Sequence, residues 1–586
     1  MQLERHRAVN RAIERFIEGR QQSSWRELET RAGHLTERRP WLAHYGPNIP
    51  LTVPIPRQPL HRFLESAADW APRRTALVFY RIRYTYRQLN MLANQFAHTL
   101  HGMGVQPGDR VLLVLPNIPQ LVVAYYATLK IGGVAVLPGP EMDVSLLTRQ
   151  AQETRPKVLV ALREAVDLVE AVRALDDPPQ VVLTGIRQAA GEAVYHRLLA
   201  RWGLAPDRAA PDSAGLSMAE LMADASPLSP GITVRPDALA AVLYTSGTEG
   251  LPKGVKLTHA NLVANTMQTR HWLQELEYGR EVCLSVVPLT HSYGMTNAMN
   301  APVALAATLV LLPGFELDEV LQHIKKYRPT LFPGVPAMYT AINQAPNVRS
   351  YGLHSIKACV SGAAPLPVEV QEAFEKLTRG RLVEGYGLTE ASPVTHANPL
   401  YGVRKVGSIG VPIPNTDARI VDLTTGQDLP PGQIGELVVK GPQVMPGYWN
   451  DEPATRQVLR DGWLHTGDVA VMDAEGYFTI INRRQEIIEV DGQWVFPRDV
   501  EEVLYEHSKV LEAAAVGVTV EENGRPATRV RAFVVPRPGE HISPEELLAL
   551  CRRRLEPHAV PREIVLREEL PKSFVGKILR TKLGGD

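Results

Sequence analysis

Short apolar runs alternate with helical stripes along much of this chain. Residues 76–79 (ALVF), 110–115 (RVLLVL), 133–138 (GVAVLP), 157–161 (KVLVA) and 180–184 (QVVLT) each read as a buried strand. Between the first two, Leu89, Leu92, Phe96, Leu100 and Met103 recur at spacings of three and four, a helical stripe opened by a Thr85/Gln88 capping box. A second helix is predicted from Leu121 to Lys130. Strand, helix, strand in repetition predicts a parallel sheet with covering helices. The rhythm resumes from Ala238 to about Val394, while residues 185–236, rich in Ala, Pro, Asp and Ser, predict a surface excursion. From Ser292 to Phe315 no residue is charged. That length could span a bilayer, but Asn297, Asn300, Pro302, Pro313 and Gly314 interrupt it, so a buried helix followed by a strand is the better reading.

The pattern changes after Val406. GSIGVPIPNTDARIVD, GELVVKGP and GYFTIINR are short strands punctuated by Gly and Pro, which predicts a small β-rich unit. Beyond Arg483, helices near 498–506 and after Ser543-Pro544, with Glu546 completing a box, alternate with strands near 512–518, 530–536 and 563–567. These suffice for an independent small α+β domain.

Composition narrows the function classes. The 586 residues carry 63 basic and 63 acidic side chains, so the net charge of zero argues against a nucleic-acid binder. With 45% hydrophobic and 22% charged residues, the chain is typical of a globular enzyme. Cys283, Cys359 and Cys551 are too scattered for a disulfide framework or zinc knuckle, and a reducing, cytoplasmic setting is expected. Met1–Glu18 has no apolar core of a secretory signal. An amphipathic face on Leu3, Ala12, Ile13, Phe16 and Ile17 leaves packing on the body and a peripheral membrane contact open. No transmembrane segment is expected.

The densest chemistry lies in 244–254, YTSGTEGLPKG. Gly247, Gly250 and Gly254 let backbone N–H groups crowd an anion, Thr245, Ser246 and Thr248 add hydroxyl donors, and Lys253 adds a charge. The spacing is not that of a Walker A loop, because Pro252, Lys253 and Gly254 stand where Gly, Lys and Ser/Thr are needed.

This segment resembles the phosphate loop of the acyl- and aryl-adenylate-forming superfamily. EGYGLTE (384–390), GWLHTGD (462–468) and PKSFVGK (571–577) resemble its later motifs, in its order, from roughly residue 60 onward. The resemblance implies an α/β fold: a large N-terminal domain of two α/β layered subdomains plus a β-barrel-like subdomain, and a small mobile α+β C-terminal domain. The expected division is an N-terminal extension at 1–55, an adenylation domain at 56–484 and a C-terminal domain at 485–586. It implies ATP, Mg²⁺ and CoA. Glu390 would hold Mg²⁺ with Thr248, and Thr389 with the loop residues 245–250 and 253 would face phosphates. Gly362, Ala363 and Ala364 would flank adenine beside Glu384, Gly385, Tyr386 and Gly387. Asp468 and Arg483 would take the ribose. Lys577 would bridge substrate carboxylate and α-phosphate, making it, with Glu390 and Thr248, the catalytic set.

Three positions depart from the family pattern. Glu249 replaces the loop's common Thr, Gln485 stands at the expected hinge, and Asp491-Gly492 replaces a Gly-Gly pair in the segment that would line the CoA tunnel. His291, Tyr293 and Gly294 resemble the acyl-facing segment, and the lack of an Asp there argues against an amino-acid substrate. A medium- or long-chain fatty acid is expected. Transfer to a carrier protein, as in fatty acyl-AMP ligases, and an aryl or short-chain acid stay open. The 78 residues from Glu390 to Asp468 leave little room for the insertion that blocks CoA use in those ligases. A homodimer is equally open.

Overall fold

The computed structural model describes residues 39–139, 143–205, 208–210, 215–245, 252–522, 525–572 and 578–583. Its widest sheet has eight strands. In spatial order they are Gly447–Tyr448, Gly254–Thr258, Leu239–Tyr244, Val134–Leu137, Arg110–Val114, Val158–Leu162, Gln180–Thr184 and Leu216–Ser217. The last six pair in parallel and the first two are antiparallel at one edge. Their central members are buried at every position but Arg110, as a sheet covered on both faces requires. The capping box forms in full: Thr85 Oγ1 accepts from Gln88 N–H at 3.3 Å while Gln88 Oε1 accepts from Thr85 N–H at 2.9 Å, and the helix runs Tyr86–Gly102.

A second layer is built on Val282–Ser285, Thr308–Leu311 and Thr75–Phe79 in parallel, and bridges through Leu331 lead on to Ala358–Ser361 and Arg381–Gly387. The uncharged stretch is buried helix and then strand: Ser292–Met295, a π turn at Thr296–Asn300, Ala301–Ala304, and the strand Thr308–Leu311. Tyr126 donates its hydroxyl to Asn300 at 3.1 Å, so the buried amide is satisfied. The β-rich unit is a five-stranded antiparallel sheet, joined by a bridge between Gly410 and Phe478 to the strands before it. Among the described residues no helix is long and apolar enough to cross a membrane.

One expectation changes. Residues 185–236 are more than an excursion: Leu216–Ser217 extends the wide sheet, and the helix Glu192–Arg201 buries Leu198 and Leu199. Beyond the phosphate loop the chain runs into Gly254–Thr258, antiparallel to Leu239–Tyr244, where Val255 and Leu257 alternate with polar neighbours.

After Arg483 a separate core forms. Val500 and Leu504 of the helix Pro497–Tyr505, and Leu547 and Cys551 of Pro544–Arg554, pack on strands Val510–Glu522, Arg525–Pro536 and Glu563–Leu566. Only the short turn Arg484–Glu486 carries the chain between the two cores. All three cysteines are free and buried.

Within the larger unit, Lys130 is sealed from solvent and donates to Glu65 at 2.6 Å. Removing one partner of a buried pair strands the other. Lys130→Met should therefore lower this unit's stability by about 3 kcal/mol in urea unfolding, and adding Glu65→Leu should recover most of that loss.

Candidate functional site

Antiparallel strands Trp463–Met472 and Phe478–Arg483 place Asp468 opposite Arg483, and Arg483 Nε donates to Asp468 Oδ1 at 2.7 Å. Tyr386, from Arg381–Gly387, donates its hydroxyl to the other carboxylate oxygen. Asp468 is 3% exposed, so its charge is met by partners rather than by bulk water. That carboxylate raises the Arg483 pKa further, and burial followed by the same carboxylate pushes the Tyr386 phenol far up. At neutral pH this is an ion pair with a neutral donor beside it.

Across the cavity, Thr389 and Glu390 occupy a single 3₁₀ turn. Tyr448 donates its hydroxyl to Glu390 Oε1 at 2.8 Å, and Lys253 Nζ lies 5.3 Å from the centroid of the Tyr448 ring. One aromatic side chain thus spaces a cation from a carboxylate. Thr245 and Lys253 close the base of the loop: Thr245 N–H donates to the Lys253 carbonyl at 3.0 Å, and Lys253 N–H to Thr245 Oγ1 at 3.1 Å. Ser246, Gly247, Thr248, Glu249, Gly250 and Lys577 lie outside the described residues.

A third wall is uncharged. Burial pushes the His291 imidazole down to about 4, leaving it neutral, and its Nδ1 accepts from Tyr293 N–H at 3.2 Å. The Tyr293 hydroxyl donates to the Val360 carbonyl, and its ring packs on Gly362, where an added Cβ would meet it at 3.2 Å.

These walls enclose a cavity of about 710 Å³. Of the residues singled out by sequence, it is lined by Thr245, Lys253, His291, Tyr293, Gly362 and Ala363, by Gly385, Tyr386, Gly387, Thr389 and Glu390, and by Arg483 and Gln485. Asp468 stands behind Tyr386 and Arg483. Glu384 and Ala364 do not line it. Nor does Gly294, whose added Cβ would sit 2.0 Å from the Pro288 carbonyl; glycine is needed there for backbone packing. Gly492 lies away from it in the turn of the hairpin Ile488–Val490/Gln493–Val495. Asp491 and Gly492 both have positive φ (52° and 80°), the pair that a tight two-residue hairpin favours, so Asp serves where Gly-Gly was expected.

The sequence reading missed Ser292, Tyr448, Glu436 and Arg484. Ser292 Oγ is 3.3 Å from Thr389 Oγ1, and Tyr448 reaches Glu390 over 58 positions of chain. Leu579 also lines the cavity, bringing the C-terminal segment to its rim. Among the described residues no three His, Cys, Asp or Glu side chains gather as a metal cluster. Glu390 could supply one carboxylate to a Mg²⁺ that takes its other oxygens from phosphate and water, as Mg²⁺ commonly does.

Burial pushes the Glu384 carboxyl up to about 7, although Leu366 N–H donates to it at 3.2 Å. A carboxyl whose folded pKa exceeds its unfolded value supports the fold most below pH 4.5, and that support is lost as pH rises to about 7. Glu384→Gln should therefore gain stability relative to wild type by about 2 kcal/mol between pH 5 and pH 8, read from paired unfolding curves.

Comparison with known proteins places this geometry. Residues 64–449 match the AMP-binding enzyme family, and 499–577 match the AMP-binding enzyme C-terminal domain. The chain is 41% identical to the long-chain-fatty-acid–CoA ligase of Bacillus subtilis, over 94% of this chain and 98% of that protein. It is 34% identical to the ligase of the same name from Salmonella typhimurium, over 93% and 97%. Among solved structures it is similar to ATP-bound MatB from Rhodopseudomonas palustris, with TM-score 0.78 and 26% identity, covering 90% of this chain and 98% of that one.

Proposed function

This chain belongs to the AMP-binding enzyme family, and on that premise we propose that it is an AMP-forming fatty acid–CoA ligase. The observation that carries the proposal is one cavity with three unlike walls: Arg483 and Tyr386, backed by Asp468; Lys253, Thr389 and Glu390; and neutral His291 with Tyr293.

The first wall suits a ribose, whose hydroxyls would reach the Asp468 carboxylate in place of Tyr386 or beside Arg483, while Gly362 and Ala363 leave room for a flat base. The second suits a triphosphate. A bound Mg²⁺, held on the protein side by Glu390 and Thr248, would supply charge neutralisation at the phosphates. Tyr448 keeps the Glu390 carboxylate turned toward that space. The third wall offers no charge to a substrate tail, and the uncharged stretch behind it suits an alkyl chain.

In the first step a fatty carboxylate oxygen attacks the α-phosphorus of ATP and pyrophosphate leaves, giving acyl-AMP. Lys577 is assigned to the charge developing there. In the second, the CoA thiol loses its proton and attacks the acyl carbonyl, and AMP leaves. Gly492 and its turn would face the thiol after the small domain swings about Gln485.

Pyrophosphate release should rise with chain length from acetate to oleate and depend on CoA for multiple turnovers. A single stoichiometric burst unaffected by CoA would point instead to carrier-protein transfer. Lys577→Ala should slow acyl-AMP formation by about 10²–10³ while sparing thioester formation from supplied acyl-AMP; equal losses in both steps would refute its role. Tyr448→Phe, which frees the Glu390 carboxylate, should raise the Mg²⁺ concentration needed for half-maximal rate by about tenfold.

A further inference from the structure

A carboxylate outside the assigned set joins the proposed ribose seat to the turn between the two cores. Glu436, on the strand Ile434–Lys440, is 4% exposed. Its Oε1 accepts from Gly467 N–H at 3.2 Å, immediately before Asp468. Its Oε2 accepts from His465 Nδ1 at 3.1 Å and from Arg484 Nη1 at 3.0 Å. Gly467 has a φ of +71°, a conformation that leaves its N–H free to point at this carboxylate. Arg484 in turn begins the turn Arg484–Glu486. On the far side of Gln485, Glu486 accepts from Arg580 at 2.9 Å, and Arg580 is also bound bidentately by the buried Glu501. Arg580 lies three residues beyond Lys577.

We propose that Glu436 is a positioning residue: through Arg484 it ties the root of the hinge to the strand that carries Asp468, so that the small domain swings from a fixed point into the orientation that forms acyl-AMP. The two ends of the tie differ. Glu486 and Arg580 belong to the small domain and travel with it, whereas Glu436 belongs to the large one. Arg484 precedes Gln485 and stays with Glu436, so a swing about Gln485 leaves both pairs intact and carries Glu486 and Arg580 about a root that Glu436 fixes. The Glu436 carboxylate is buried while Arg484 is half-exposed; the charge-assisted bond between them is stronger than a neutral one, and the neutral isostere weakens it while keeping the Gly467 contact.

The inference rests on the ligase reading, and the test separates the two. In full-length protein, Glu436→Gln should slow pyrophosphate–ATP exchange by about tenfold and leave thioester formation from supplied acyl-AMP within about twofold. Trypsin should cut after Arg483 or Arg484 about five times faster in Glu436→Gln than in wild type, because cleavage follows the population of the open turn. Arg484→Gln, at a half-exposed position that tolerates change, should reproduce the kinetic split. Equal slowing of both half-reactions, or unchanged cleavage and exchange, would overturn the proposal. Faster cleavage in Glu436→Gln with no exchange from wild type on any carboxylic acid would leave the tie standing and overturn the ligase reading.

Discussion

A carboxylate taken out of water survives as an anion only where partners replace its hydration, and Asp468 is such a group. Arg483 and Tyr386 meet its two oxygens, and those contacts pin three elements that are distant in sequence. The strand Phe478–Arg483 is held in register against Trp463–Met472, the strand Arg381–Gly387 is held to both through Tyr386, and the chain leaving Arg483 enters the inter-core turn from a fixed point. The cavity's shape follows. Without that pair the turn would start from a mobile strand end, and neither the phosphate wall nor the C-terminal segment would face a defined space.

The two units divide the work by how they are built. The larger one is a packed pair of layers in which buried polar pairs such as Asn300 with Tyr126 and Lys130 with Glu65 cross between elements. The smaller has its own core, and contacts between the two include Arg498 Nη1 donating to the Ile480 carbonyl at 2.9 Å.

Much of this was legible in the sequence, because the relevant signals are local. The apolar runs at 110–115 and 157–161 became strands, the Thr85/Gln88 box formed both of its hydrogen bonds, and the motif residues Thr245, Lys253, Tyr386, Glu390 and Arg483 converged on one cavity. Signals that depend on distant partners were not legible. Glu436 reads as a lone acidic position in an apolar run, and only the folded register sets it beside His465 and Gly467. Tyr448 lies 58 positions from Glu390. Leu216–Ser217 is too short to announce itself as a strand until Gln180–Thr184 is beside it.

The most direct test is calorimetric titration of a non-hydrolysable long-chain acyl-AMP analogue into the full-length protein and into Asp468→Asn. If Asp468 with Arg483 forms the nucleoside seat of an acyl-adenylate site, the wild type binds one equivalent and the variant binds about 10²-fold more weakly while its unfolding transition stays cooperative. Equal affinity in the two proteins, or no binding by the folded wild type, would contradict the account.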